Sequence, residues 1–278
     1  MKKALLLVFL IPQLAFGAIA FDTASNRQTT TGTSLTFAHT TTGSNLILFV
    51  GVTIDTNDVL TGITYNGTAL TQVSKIQTTS GRWSYLYYLT APSTGSNNVV
   101  ISASESVLFL AYASSYTGVE QTTPIDSYGT NTVTSVESIN KFITTTCTND
   151  WLVSTGNNGS GATSAGSNTT LRGDSSSYAQ WFSDSNAVQT PAGSFGQTVS
   201  WSGSNNASII VASIKASTDS VCDIGGGESI ASTTATTTNQ IISQGFLGVI
   251  FGLALIIFML TLFVTGYLYN NLIKPIWE

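Results

Sequence analysis

The sequence predicts an all-β ectodomain of sandwich or barrel type, followed by a single membrane-spanning helix near the C-terminus. Three observations predict it. Between residues 21 and 215, short runs rich in Val, Ile, Thr, Tyr and Phe alternate with Gly, Asn and Pro turn signals, with no amphipathic helical period between them. Charged residues make up only 8% of the 278, so Ser, Thr, Asn and Gly supply the surface polarity; typical soluble domains carry about 25%. Residues 245–268 contain no charge at all.

At the N-terminus, Met1-Lys2-Lys3 precedes the apolar run 4–11, Pro12 and the small-residue exit Ala18-Ile19-Ala20. A basic start, a short apolar core and an A-x-A site are the three parts of a secretory signal peptide, here residues 1–20. Ala15 and Gly17 allow an earlier cut. The apolar run is too short to span a bilayer comfortably.

The next segment, 21–215, is long enough for one good-sized core and reads as the ectodomain. Ser34-Leu35-Thr36-Phe37 alternates polar and apolar. Residues 46–52 form a continuous apolar run, as expected of a strand buried on both faces or in a sandwich core. Ile63-Thr64-Tyr65 leads into Asn66-Gly67, a tight hairpin signal, and 68–73 returns. Further strands are expected at 84–89, 98–102, 109–116, 141–146, 151–154, 175–183, 198–201 and 208–215. The second half repeats the texture of the first. Residues 156–174 are Gly-rich and poor in apolar residues, which reads as a long loop.

Residues 216–244 contain Gly225-Gly226-Gly227 and a Ser/Thr/Ala tract, the composition of a stalk. A helix over 245–268 would be roughly 36 Å long at about 1.5 Å per residue, enough for a tilted crossing of a roughly 30 Å hydrocarbon core. Tyr267 and Tyr269 stand where an interfacial aromatic belt belongs. The export signal places the ectodomain outside, and Lys274 agrees with a cytoplasmic tail at 269–278. Gly248 and Gly252 form a G-x-x-x-G pair, a short and common pattern that would let two such helices approach in a homo-oligomer.

The net charge is −5 and the basic residues are scattered singly, so nucleic acid is not an expected partner. The two cysteines, Cys147 and Cys222, are too few for a disulfide-stapled mini-domain. Both lie on the exported side. Two unpaired thiols, a disulfide with each other, or a bridge from Cys222 to another copy remain open, and we expect a disulfide that involves Cys222.

Several motifs occur in a familiar order. They are Phe37-Ala38-His39, then Gly43-Ser44-Asn45-Leu46-Ile47-Leu48-Phe49-Val50-Gly51-Val52, then Ile63-Thr64-Tyr65-Asn66-Gly67-Thr68-Ala69-Leu70-Thr71. Tyr88-Leu89-Thr90-Ala91-Pro92-Ser93-Thr94-Gly95 and Tyr116-Thr117-Gly118-Val119-Glu120-Gln121-Thr122-Thr123-Pro124-Ile125 follow. The order resembles a jelly-roll-like domain of bacterial and phage surface or secreted proteins. The resemblance covers most of residues 30–215 and implies a jelly-roll-like antiparallel β-sandwich. It implies no catalytic set.

The chemistry-bearing residues are sparse. His39 is the only histidine and shares a strand face with Phe37, so a hydrogen-bonded structural role is expected. One histidine without C-x-x-C makes no zinc site, and no metal or cofactor is expected. The acids form no recognisable catalytic pair. Asp55 and Asp58 flank a polar turn that lacks the full calcium-loop pattern. Trp83 sits in one aromatic cluster, and Tyr178 and Trp181 in another. Such rings stack on sugars but more often fill a sandwich core. Asp55, Asp58, Trp83, Tyr178 and Trp181 are the candidate ligand-binding residues.

The expectation is a non-enzymatic, surface-displayed binding or adhesion protein for glycans or a protein partner, held on the cell membrane by one span. The alternatives are a phage virion protein used for host attachment and a carbohydrate-active enzyme.

Overall fold

A computed structural model describes residues 18–55, 57–159, 163–174, 180–217 and Cys222. Most of the expected signal peptide, nearly all of the stalk, the 245–268 span, the tail and Tyr178 lie outside the described residues. Every described residue belongs to one compact unit. Among the described residues no helix is long and apolar enough to cross a membrane.

The described chain is all-β, built from antiparallel sheets. The first sheet contains β1 (Ala20–Thr41), β2 (Ile47–Ile54), β3 (Leu60–Tyr65), β4 (Thr68–Ala69), β5 (Thr71–Gln77), β6 (Trp83–Thr90) and β7 (Gly95–Thr117). The second contains β8 (Ile125–Thr144), β9 (Trp151–Asn157), β10 (Thr163–Ala165), β11 (Thr170–Asp174), β12 (Gln180–Asp184) and β13 (Ser194–Ile214). The first sheet runs β4-β3-β7-β2-β6-β5, with β1 on β7. The second runs β10-β13-β9-β12-β11, with β8 on β13.

These are the same arrangement twice. β8, β9, β10, β11, β12 and β13 take the places of β1, β2, β3, β5, β6 and β7, in the same chain order. Registers agree: Ile47 lies opposite Tyr116, and Trp151 opposite Ile214. Local geometry agrees as well. Asn45 and Asn149, each two residues before those strands, are both left-handed (φ 49° and 60°). Asn66 and Asn168 match in the turn after β3 and β10 (φ 48° and 53°). Asp22 accepts from the Thr42 amide and hydroxyl, and Asp126 from the amide and hydroxyl of Thr146. In each case a carboxylate on the first strand clamps the chain that leaves that strand's far end. Residues 20–117 and 125–214 are therefore two lobes of one design.

Within each lobe the long first and last strands change partners midway. The N-terminal half of β7 pairs with β3 and its C-terminal half with β2, while β1 follows it along both. The sheet thus folds over its own apolar face in a sandwich-like way. Leu48, Val50, Val52 and Ile54 face a core that includes Phe37, Ile63, Val99 and Ile101. Ile47 and Phe49 point the other way, into a seam with Trp151, Val153, Phe182 and Ile210 of the second lobe. Strand alternation sends successive residues of β2 to two different cores, which is why the run reads as continuously apolar and all eight residues are buried. A third cluster, with Leu152, Trp181, Trp201 and Ile209, fills the second lobe. Each fully buried Leu, Ile or Phe contributes about 1.5–3 kcal/mol.

Close approach and buried polar bonds fix the seam. A Cβ on Gly51 would lie 2.5 Å from Thr155 Oγ1, so β2 and β9 need glycine there. Gln180 Nε2 donates to the Gly51 carbonyl (3.2 Å), and the hydroxyls of Ser84 and Ser208 meet at 3.0 Å. Arg172 grips fully buried Asp184 with two hydrogen bonds (2.6 and 3.1 Å), stands 3.8 Å over the Phe21 ring, and Tyr116 donates to the same carboxylate (2.9 Å). Both carboxylate oxygens are partnered, as a buried charge requires.

The structure corrects several sequence expectations. Residues 98–102 and 109–116 belong to one strand, β7, and 198–201 and 208–214 to another, β13. Most of β1 and β8 was not expected as strand, because their hydroxyl-rich outer faces hide the alternation. Residues 156–174 are not one long loop: β9 runs on to Asn157, and β10 and β11 follow.

Candidate functional site

A polar cleft opens at one end of the seam, about 420 Å³ in volume and lined by Asp55, Ser80, Arg82, Gly159, Asn205 and Asn206. Both lobes build it. Asp55 and Gly159 occupy matching positions, just past β2 and β9, so the cleft lies where equivalent ends of the two lobes meet. Asn205 and Asn206 come from the irregular stretch of β13, where the register against β8 shifts.

Local chemistry presents these groups. The β5–β6 turn is closed by Thr78, whose amide donates to the Arg82 carbonyl (2.8 Å) and whose hydroxyl accepts from the Arg82 amide (3.1 Å). Gly81 supplies the left-handed residue (φ 90°) that the turn requires. Arg82 then reaches across the seam and donates from Nη1 to the Gly159 carbonyl (2.7 Å). Asn157 Oδ1 accepts from the Gly159 amide (3.1 Å), which fixes the chain as it leaves β9. Asp55 Oδ1 accepts from the Leu108 amide (3.1 Å), and Asn206 Oδ1 from the Ser135 amide (3.1 Å). A second hollow, of about 430 Å³, lies beside β3 and β4 and is lined by Ile63, Leu70 and Tyr87 among others. It gathers no charged group.

The residues expected from the sequence separate. Asp55 lines the cleft. Asp58 lies outside the lining and is tied to Lys75 and to the Tyr85 hydroxyl (2.7 Å). Partial burial pushes its carboxyl up, but the bonds from Lys75 and Tyr85 outweigh burial and hold it below the usual range. Trp83 is half-buried, stacked on Tyr85, with Lys75 Nζ 5.4 Å over its ring. Trp181 is fully buried and stacked on Trp201, so it serves the core rather than a sugar platform. Tyr178 lies outside the described residues. Cys147 and Cys222 are joined in a disulfide. Ser80, Arg82, Asn205 and Asn206 were missed. They are common polar residues in turns and bulges, and only folding brings them together.

His39 is buried beside Ser25, Ser115 and Asp22. Ser115 donates to Asp22 (2.7 Å), so it accepts from His39 Nε2 (3.1 Å), while Nδ1 lies 2.7 Å from the Ser25 hydroxyl, which also reaches the Ala38 carbonyl (3.1 Å). Burial lowers the imidazole pKa to about 4, with the Asp22 charge opposing. The carboxylate holds the serine, not the imidazole. No oriented base faces a free hydroxyl here, as nucleophilic catalysis would need.

No family model matches the chain, and comparisons with curated proteins and with solved structures return no match.

Proposed function

We propose that this is a surface-displayed binding or adhesion protein: two jelly-roll-like lobes exported by the 1–20 leader, carried on the 216–244 stalk and held by the 245–268 span. The observation that carries the binding reading is the interlobe cleft, where a carboxylate, a guanidinium, a hydroxyl and amides converge. The jelly-roll-like reading is supported by long first and last strands that run antiparallel along both layers of each lobe. Partners of this chemistry are glycans or a polar protein surface, and display of several copies would add weak contacts through avidity.

Two measurements test the proposal. Protease added to intact cells should remove the β-lobes and leave a small membrane fragment; a protected β-domain would sink the topology. The exported protein should attach to cells or glycans without converting them. Turnover of a saccharide or peptide that is lost on changing one carboxylate would make it an enzyme instead.

A further inference from the structure

We infer that the interlobe cleft binds a neutral saccharide unit through two adjacent hydroxyls, with Asp55 accepting from them and Arg82 donating to them. The inference rests on the binding reading above and names the ligand chemistry of the same site.

Opposite charges line this cleft without pairing. The ion pairs among the described residues are Lys75–Asp58 and Arg172–Asp184. Arg82 commits one N–H to the Gly159 carbonyl, and Asp55 commits one oxygen to the Leu108 amide. Asp55 Oδ2 and the other Arg82 N–H groups make no hydrogen bond among the described residues, so each group is anchored at one end and open at the other. Asn206 is held likewise: its oxygen accepts from the Ser135 amide, which aligns the carboxamide and leaves its N–H donors for a ligand. Groups fixed in advance lose little side-chain entropy on binding.

The charge balance selects the ligand. One carboxylate and one guanidinium sum to zero. An anion would meet Arg82 but stand against Asp55, and a cation the reverse. A hydroxyl both donates and accepts, so a pair of neighbouring hydroxyls satisfies carboxylate and guanidinium together without bringing a charge into the cleft.

Gly159 keeps the centre open. A Cβ built there would lie 3.5 Å from the Asn206 carbonyl oxygen and 3.7 Å from both Arg82 Nη1 and Asn205 Oδ1. The matching position in the first lobe holds Asp55. The site therefore breaks the two-lobe symmetry: one lobe supplies a carboxylate where the other supplies space.

The test uses the full chain in detergent, titrated calorimetrically with methyl glycosides of mannose, galactose and glucose, their 2-deoxy analogues, and methyl sialoside. At least one neutral glycoside should bind, and loss of a hydroxyl that contacts the charges should weaken it. Asp55→Asn and Arg82→Met should each weaken binding about 10- to 100-fold, the effect of removing a hydrogen bond to a charged group. Gly159→Asp should abolish it, because the new carboxylate points at Arg82 and fills the cleft. Aspartate tolerates the left-handed backbone at this position (φ 78°) better than most residues. An unchanged melt checks folding, and Gly159→Asn serves if the aspartate variant is unstable. A glycoside that binds all variants equally would place the site elsewhere. Preference for the sialoside, or no glycoside binding, would also overturn the inference. Attachment of the same protein to a protein partner, indifferent to these variants, would sink the saccharide inference while leaving the binding reading in place.

Discussion

On β2 the residues turned into the first lobe are Leu48, Val50, Val52 and Ile54; at the matching positions of the second lobe stand Leu152, Ser154, Gly156 and Asn158. Facing them, Tyr85 and Tyr87 of β6 correspond to Trp181 and Ser183 of β12. The first interior is aliphatic and aromatic. The second holds a hydroxyl chain, in which Ser154 and Ser183 meet at 2.6 Å and Ser183 donates to Gln197 (3.4 Å). It also holds Asn158, fully buried, with neither side-chain oxygen nor nitrogen hydrogen-bonded among the described residues. At another matched pair, polarity reverses: buried His39 in the first lobe, Ile143 in the second. Two cores of different chemistry thus support one topology. What the lobes share is strand order, the Asp22 and Asp126 clamps, and left-handed asparagines at the same turns. Register and turn chemistry specify the fold, and interior composition sets how stable each lobe is.

The largest effect should come from writing the second lobe into the first. Ile54→Asn removes a fully buried aliphatic side chain and buries an amide among Leu48, Val50 and Val52. The combined loss should be about 4 kcal/mol or more, read by urea unfolding. A change below about 1 kcal/mol would show that the first core is no tighter than the second.

Acid should separate the lobes next. His39 has a folded pKa of about 4 against 6.5 when free. The unfolded chain therefore binds more protons between those values. Stability from the neutral imidazole is complete above pH 6.5 and lost as pH falls towards 4, by about 3 kcal/mol in total. Hydrogen exchange should quicken first in β1 and β7, while β8 and β13, with Ile143 in place of the histidine, stay protected. His39→Gln should flatten the profile. Equal acid loosening of both lobes would assign the effect elsewhere.

The reverse replacement, Asn158→Ile, should stabilise by about 1–2 kcal/mol, since it removes an unpartnered buried amide. A loss of stability would mean that the amide is satisfied or that the second core has no room for the larger aliphatic side chain. The smallest effect belongs to Lys75→Met. Lys75 and Asp58 form an ion pair with side chains 39% and 30% exposed, and such pairs contribute under about 1 kcal/mol. A thermal melt lowered by more than a few degrees would show that the cation over Trp83 matters more than its exposure suggests.

Much of the fold was legible in the chain because local rules wrote it. The run at 46–52 read as a strand buried on both faces or in a sandwich core, and β2 is buried along its whole length. Asn66-Gly67 marked a hairpin, and both residues are left-handed in the structure (φ 48° and 80°). His39 sharing a face with Phe37 was a matter of period two, and both are buried. The second half's repeated texture was legible, but the strand-by-strand equivalence of the two lobes was not. The matched residues Val50 and Ser154, like Ile54 and Asn158, share no side-chain chemistry, and the equivalence lies in backbone pairing across more than sixty residues. Of the cleft, Asp55 and the 156–174 stretch that carries Gly159 could be singled out beforehand. Arg82 is one residue from Trp83 and carries no motif. It becomes a site residue because the β5–β6 turn aims it over the seam at Gly159, whose position was set by β9. Residue type and spacing by themselves determined that this chain forms antiparallel strands, since those preferences act over a few neighbouring residues. Which strand ends of the two lobes meet, and so which carbonyl Arg82 reaches across the seam, was decided only when the lobes packed, because that depends on contacts between residues far apart in the chain.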